Sequence, residues 1–414
     1  MKCRQYTNFV AEIEIMHLPG LYIHIPFCKS RCIYCDFYST TRSMEHRQAF
    51  VEALCRELEL RSSYLDGAVL GSVYIGGGTP SVLPVALLER IFDAVAQHWR
   101  LAPEAEITLE ANPDDITPCY ARAIASLPVN RVSMGVQTFS DAHLRLLNRR
   151  HTARQAVEAI DNLRNAGIDN ISIDLIYDLP NQTVDDWLRN LEQAFALPVC
   201  HLSAYALIYE EGTPLYRMRE QGVVEEADEE QSLQMYQLLM ERAEAAGFLH
   251  YEISNFSLPN CEARHNSGYW REMHYLGAGP AAHSYNGNSR RWNTADLSAY
   301  IDARGDTTIG DLATLEPLTP QMKQEEFLLT QLRTARGLDL AAFRSYFGQR
   351  QLDALLTRAQ PYIDSQHLSF ANSAPSTFLH RPIAHPLPAS SCRTLCLTRK
   401  GLFISDDIIS SLFE

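Results

Sequence analysis

From residue 21 the chain repeats one pattern: a short continuous apolar run, a polar turn, then a longer amphipathic segment. The strand-like runs are LYIHIP, SVYIGGG, EITLEANP, NRVSMGVQTF, NISIDLIYDLP and HLSAYALIY. Helix-like segments follow each of them, from SMEHRQAFVEALCRELELRSSYL after the first to DEEQSLQMYQLLMERAEAAGF after the last. Apolar runs without alternation suit strands covered on both faces. Helix punctuation agrees: Thr152 and Gln155 have capping-box spacing, Ala156, Ile160 and Leu163 recur at helical spacing, and Gly167 marks an end. Six strand–helix units predict an α/β architecture with a parallel sheet. Such sheets bind ligands at the C-terminal ends of their strands. The chemically unusual residues lie there: Cys28, the GGGTP loop, Glu110, Gln137 and Asp174.

A chain of 414 residues has room for two domains. The parse gives an N-terminal extension over 1–20, the strand–helix domain over 21–285 and a smaller, mainly helical C-terminal domain over 286–414. In the last, QMKQEEFLLTQLRTARGLDLAAFRSYFG reads as helical and LTRKGLFISDDIISSLF as a small closing unit. A Pro/Ser-rich loop spans about 367–391, with His380 and His385 in it and Cys392 and Cys396 just beyond; that cysteine pair could take a metal, but variable surface loop is the favoured reading. With 36 Lys and Arg against 50 Asp and Glu, the net charge of −14 argues against a nucleic-acid partner or direct binding to anionic lipid. No uncharged apolar run reaches the ~18 residues of a membrane span. Glu12 and Glu14 interrupt the apolar part of the N-terminus, unlike a secretory signal, so a cytoplasmic location is expected. Met16 competes with Met1 as the natural start.

Ten cysteines are too few for a disulfide scaffold, and seven are scattered. The other three, Cys28, Cys32 and Cys35, fall within eight residues as CKSRCIYC. Zinc or three unrelated thiols are the bland alternatives. A mononuclear zinc site wants a fourth ligand, and ferredoxin-type clusters use a different spacing with a fourth Cys. The position two after Cys35 holds Phe37. The C-x3-C-x2-C spacing after a strand resembles that of the radical S-adenosylmethionine family. That resemblance implies a partial (β/α)6 barrel and a [4Fe–4S] cluster held by the three thiolates. It also implies that S-adenosylmethionine chelates the open iron and is cleaved to a 5′-deoxyadenosyl radical. The YIGGGTP loop lacks the Lys of a Walker loop; in the family it meets the amino end of S-adenosylmethionine.

Within that family, YIHIPFCKSRCIYCDF, GGGTPS, LEANPDD, RVSMGVQTF, LLNRRH, IDLIYDLPNQT and YEISNF resemble the oxygen-independent coproporphyrinogen III oxidase group. By that resemblance Tyr22, Tyr34, Gly77, Gly78, Thr79, Glu110, Gln137, Arg149 and Asp174 would seat S-adenosylmethionine. Where the group's turn usually has glycine, this chain has Asp178. The true oxidases carry a fourth Cys at the place of Phe37 and a longer N-terminal arm. At both points this chain resembles the HemW-type heme chaperones instead. It also shares their H-N-x-x-Y-W motif as RHNSGYW, which implies His265, Asn266, Tyr269 and Trp270 as candidate heme-binding residues. The segment YLGAGPAAHSYNG reads as a tight turn, with His283 a second histidine to weigh for heme. Two functions stay open: a heme chaperone that passes heme to an acceptor apo-hemoprotein, and an oxidase that converts coproporphyrinogen III propionates to vinyl groups. An electron donor is an expected partner, and membrane association is expected only through the acceptor. A plain electron carrier is disfavoured, because it has no use for Glu110, Gln137, Arg149 and Asp174 near the cluster.

Overall fold

The computed structural model describes residues 18–42, 44–303, 312–371, 377–378 and 394–413. His380, His385 and Cys392 lie outside the described residues, as do Met1 and Met16. The chain divides into two compact units. The first comprises Met1–Ser232, Ala263–Gly268 and Met273–Pro317; the second comprises Leu233–Glu262, Tyr269–Glu272 and Leu318–Glu414.

In the first unit all six expected strands form: β1 (Gly20–Ile25), β2 (Leu70–Gly77), β3 (Leu101–Ala111), β4 (Arg131–Gln137), β5 (Ile171–Tyr177) and β6 (His201–Ala206). They pair in parallel in sequence order, β1 to β6. The helices between them include α1 (Arg47–Leu60), α2 (Val85–His98), α3 (Pro118–Ala125), α4 (Asp141–Leu146), α5 (Ala153–Asn165) and α6 (Val184–Ala196). Against the expectation of apolar cover on both faces, the strands' apolar core is one-sided, and the alternate positions carry polar side chains such as Glu110 and Asp174. Ile23, Ile75, Leu109, Val132, Ile173 and Leu202 are buried on the strands; Leu54, Leu88, Ile160 and Leu191 are buried on the helices. Thr152 and Gln155 form the capping box of α5: each side chain meets the other's backbone N–H.

The second unit holds the hairpin β7 (Leu249–Glu252) and β8 (Asn255–Ser257), a three-stranded sheet, and the helices Pro320–Leu332, Leu340–Phe347 and Gln349–Asp364. The long helical reading over 321–348 breaks in the middle. Gly337 turns at φ +69°, and Asp339 caps a new helix by accepting from the N–H groups of Ala341 and Ala342.

The segment read as a tight turn, YLGAGPAAHSYNG, instead adds to the first unit's sheet. Strand β9 (Tyr275–Ala278) pairs in parallel with β1. Strands β10 (His283–Tyr285), β11 (Ser289–Asn293) and β12 (Ala313–Pro317) follow outward in antiparallel order. Glycine is required at 277, where a Cβ would collide with the His283 carbonyl as β10 crosses. This extension is held against α1 by a buried carboxylate. Glu57 accepts from Arg61 at 2.9 Å, the Gly279 N–H at 2.8 Å, Asn293 at 2.8 Å and Tyr300 at 2.7 Å. Among the described residues no helix is long and apolar enough to cross a membrane.

Candidate cofactor-binding site

One residue from each of five adjacent strands points to the same place: Tyr74 of β2, Glu110 of β3, Ser133 of β4, Asp174 of β5 and Ser203 of β6 line a cavity of about 450 Å³. Side chains two apart on a strand share a face, so the sheet curls around this space as an incomplete barrel. The three clustered cysteines line its wall.

The loop after β1 that carries the cysteines is fixed from several sides. The Cys28 N–H donates to the Thr40 carbonyl at 2.9 Å, and the Ile33 N–H donates to Leu147 at 3.3 Å. Ile33 and Tyr34 pack on an apolar cushion that includes Leu147, Ile176, Leu207 and Leu215. The Asn148 amide donates to the Arg31 carbonyl at 2.8 Å. Lys29 reaches Asp115 at 2.6 Å, and Ser81 donates to the other oxygen of the same carboxylate.

Two donors aim at two of the three sulfurs. Thr79 Oγ1 donates to Cys28 Sγ at 3.4 Å, and Arg149 Nη1 donates to Cys32 Sγ at 3.3 Å. Donors of this kind favour thiolates over thiols. Burial works the other way: it pushes the Cys28 thiol up and the Cys35 thiol up to about 11. Iron would reverse that balance by releasing the thiol protons. Among the described residues no three His, Cys, Asp or Glu side chains converge on a single metal ion. This is compatible with a cluster, which takes one thiolate per iron and spreads its ligands apart.

The glycine loop closes the cavity beside the cysteines. The Gly78 N–H donates to the Ile25 carbonyl and the Thr79 N–H to Phe27, both at 2.8 Å. Gly77 sits at φ +106°, where a Cβ would strike the His24 ring. Its N–H donates to Glu110 Oε2 at 3.1 Å, while the Tyr74 hydroxyl donates to Oε1 at 2.6 Å. Burial raises the Glu110 carboxyl to about 7, against the opposing effect of the Tyr74 hydrogen bond. Asp174 rises to about 6, again by burial, offset by a hydrogen bond from Ser203 and by the charge of Arg131. Arg149 also donates to Asn112 at 2.7 Å and to the Gly135 carbonyl at 2.5 Å. Gln137 enters the cavity through a register shift between Gly135 and Gln137, with its own φ at +67°. A left-handed non-glycine residue at a strand end is the strained geometry that functional positions tolerate.

The cavity thus brings together Cys28, Cys32, Cys35, Tyr34, Gly77, Gly78, Thr79, Glu110, Gln137, Arg149 and Asp174. Tyr22 stands behind this wall: its hydroxyl meets His24 Nδ1 at 3.1 Å and its ring stacks on Tyr74. Phe37 is 65% exposed and lines the cavity, along with the exposed side chains of Tyr205 and Ile208. Asn112, Arg131 and Ser203 line the cavity as well, beyond the residues expected from the sequence. Asn112 belongs to the LEANPDD motif, and Arg131 is a charge opening an apolar strand; both were available signals.

The RHNSGYW motif is divided. His265 and Asn266 belong to the first unit, Tyr269 and Trp270 to the second. Asn266 lines the cavity. His265 has no exposure. Its Nδ1 is 2.8 Å from Ser72 Oγ, its ring stacks on Tyr74, and its N–H donates to Glu106 at 3.0 Å. Burial holds its imidazole at about 3, hence neutral at pH 7. In the second unit the Trp270 carbonyl accepts from Gln331 at 3.0 Å and Arg333 lies over the indole. His265→Ala should therefore cost about 2–3 kcal/mol of stability, from a lost buried hydrogen bond and a new void. Denaturant unfolding followed by circular dichroism measures this; an unchanged midpoint would show the ring to be dispensable to packing.

Residues 22–194 match the Radical SAM superfamily, and residues 318–374 match the HemN C-terminal domain. The heme chaperone HemW of Mycobacterium tuberculosis is 38% identical over 325 residues, covering 78% of this chain and 83% of that protein. The heme chaperone HemW of Synechocystis is 33% identical over 400 residues, covering 95% of both. The Escherichia coli coproporphyrinogen III oxidase HemN, described as a radical SAM enzyme, superposes with a TM-score of 0.78 at 20% identity, over 96% of this chain and 91% of that one. That likeness establishes the shared fold, a radical SAM α/β architecture with a small C-terminal region. Radical SAM membership implies a [4Fe–4S] cluster and S-adenosylmethionine, and the thiols and donors described above fit both. With the cysteine loop, the open barrel and this coverage of its relatives, the chain belongs to the HemW heme chaperone family of the radical SAM superfamily.

Proposed function

We propose that this chain holds a [4Fe–4S] cluster on Cys28, Cys32 and Cys35, binds S-adenosylmethionine in the barrel cavity, and carries heme to an acceptor apo-hemoprotein. The observation that carries the choice of chaperone over oxidase is Phe37. Where the resembling oxidases place a fourth cysteine, this chain presents an exposed apolar ring at the cavity. A thiol there could join the chemistry; a phenyl ring can only offer apolar surface.

The bound cluster would supply an electron and one iron free to take S-adenosylmethionine. The chain's own residues seat that ligand. Ionised Glu110 and Asp174 accept hydrogen bonds from hydroxyl or ammonium groups, Arg149 and Gln137 offer donors, and the Gly77–Gly78 backbone allows close approach. Tyr34 covers the cysteine loop, and Thr79 supports Cys28. Tyr22 acts from behind, through its contacts with His24 and Tyr74. For heme, the RHNSGYW residues are supported by the family resemblance. The burial of His265 favours a supporting role for that residue over direct ligation. The same reading places the protein in the cytoplasm, reduced by an electron-donor protein and meeting a membrane only through its acceptor.

The oxidase reading keeps one specific support, the full set of polar residues around the cavity. An anoxic assay with reconstituted protein, S-adenosylmethionine, a reductant and coproporphyrinogen III separates the two. No protoporphyrinogen IX is expected, with the cluster spectrum intact in the same sample. Turnover would make this an oxidase despite Phe37.

A further inference from the structure

A heme iron takes a neutral imidazole nitrogen as ligand, and that nitrogen must reach the porphyrin face. Several imidazoles of the first unit are already committed to other partners. His24 meets Tyr22 through Nδ1 and the Tyr38 carbonyl through Nε2 at 2.9 Å. His151 meets the Val136 carbonyl at 3.1 Å, His201 meets Ser172 at 2.7 Å, and His265 meets Ser72. His283 differs from all of these. It opens β10, is exposed, and among the described residues its ring makes no hydrogen bond. Its partner is Trp292, directly opposite in register on β11, stacked at 5.6 Å and 21°.

The register also sets Tyr285 opposite Arg290, and the Arg290 guanidinium lies over the Tyr285 ring at 5.2 Å. His283, Tyr285, Trp292 and Arg290 therefore project from one face of the hairpin. The alternate residues project from the other face, where Ser284 meets Arg61 at 2.9 Å and Asn293 meets Glu57. That second face is the one fixed to α1, so the first is a rigid platform and not a mobile loop. Partial desolvation of the ring and the Arg290 charge both hold the His283 imidazole below its usual range, so its nitrogen lone pair is available at neutral pH.

We propose that His283 is an axial ligand to heme iron, with Trp292 bracing the imidazole and Arg290 meeting a heme propionate. An axial imidazole stands across the porphyrin plane, so an indole stacked on it fixes its orientation without competing for the macrocycle. Arg290 supplies the charge complementary to a carboxylate. This site rests on the heme-carrier reading and names where that cargo binds.

The test is a titration of the full-length protein with ferric heme, followed by absorption. Wild type should saturate and give the Soret band of an imidazole-ligated iron. His283→Ala should shift that band and weaken binding at least tenfold, and added free imidazole should restore the wild-type spectrum. Trp292→Leu should weaken binding severalfold with ligation retained. His46→Ala, an exposed histidine of the same unit just before α1, should behave as wild type. If wild type binds heme and His283→Ala gives the same band and affinity, the site is wrong and the carrier reading survives. If wild type binds no heme, both fall.

Discussion

Cys28→Ala protein, reconstituted with iron and sulfide under anoxic conditions, should lose the broad visible absorption of a four-iron cluster almost completely. The reason is the ligand count. The loop offers three thiols, and among the described residues no further His, Cys, Asp or Glu completes a set with them. A cluster already one protein ligand short of four cannot spare another. The loop itself should survive the change. Its anchors are backbone bonds from Cys28 and Ile33, the apolar cushion under Ile33 and Tyr34, and the Lys29–Asp115 pair, none of which uses the sulfur. Loss of iron with retained circular dichroism would thus report ligation and not misfolding. Cys119→Ala, an exposed thiol outside the cavity, is the matched control and should load normally. A full four-iron spectrum from the Cys28 variant would overturn the cluster assignment.

Much of this centre was legible in the sequence, because a parallel strand order converts scattered residues into neighbours. Glu110 and Asp174 are far apart along the chain but lie toward the C-terminal ends of β3 and β5, the two strands that flank β4, so the strand-end rule places them together before any contact is known. The Thr152–Gln155 cap was legible for a more local reason: its whole geometry is contained in four residues.

What escaped depends on contacts between distant segments. Gly277 and Gly279 look like turn residues in isolation. Gly277 is needed because β10 crosses it closely, and Gly279 because its φ is +102° and a Cβ there would strike the His24 carbonyl oxygen. The fate of His265 was hidden in the same way. A histidine followed by aromatics suggests a ligand surface, yet Ser72 and Tyr74, almost 200 positions earlier, enclose the ring. Conversely, nothing near His283 in sequence announces Trp292 as its stacking partner; only the antiparallel register does.

Glu110→Gln should weaken S-adenosylmethionine binding about 10- to 100-fold, the range expected for losing hydrogen bonds to a charged acceptor. The substitution preserves shape and an oxygen for the Tyr74 hydroxyl. It removes the negative charge and turns an amide donor toward the Gly77 N–H, where Glu110 now accepts at 3.1 Å. Because burial raises this carboxyl to about 7, roughly half the ligand-free protein carries it protonated at neutral pH. A cationic ligand prefers the ionised form, so binding below that pH must first expel a proton. Wild-type affinity should therefore strengthen about tenfold per pH unit on rising toward 7, then flatten above it. Asp174, raised to about 6, should steepen the dependence at the acid end. In the Glu110→Gln protein the step near 7 should vanish while any step near 6 persists. Equilibrium dialysis of the cluster-loaded protein from pH 5.5 to 8.5 measures both proteins on one scale. Equal affinities and parallel pH curves would mean that Glu110 supports the glycine loop without touching the ligand, because a purely structural carboxylate has no reason to couple its proton to a cation bound elsewhere.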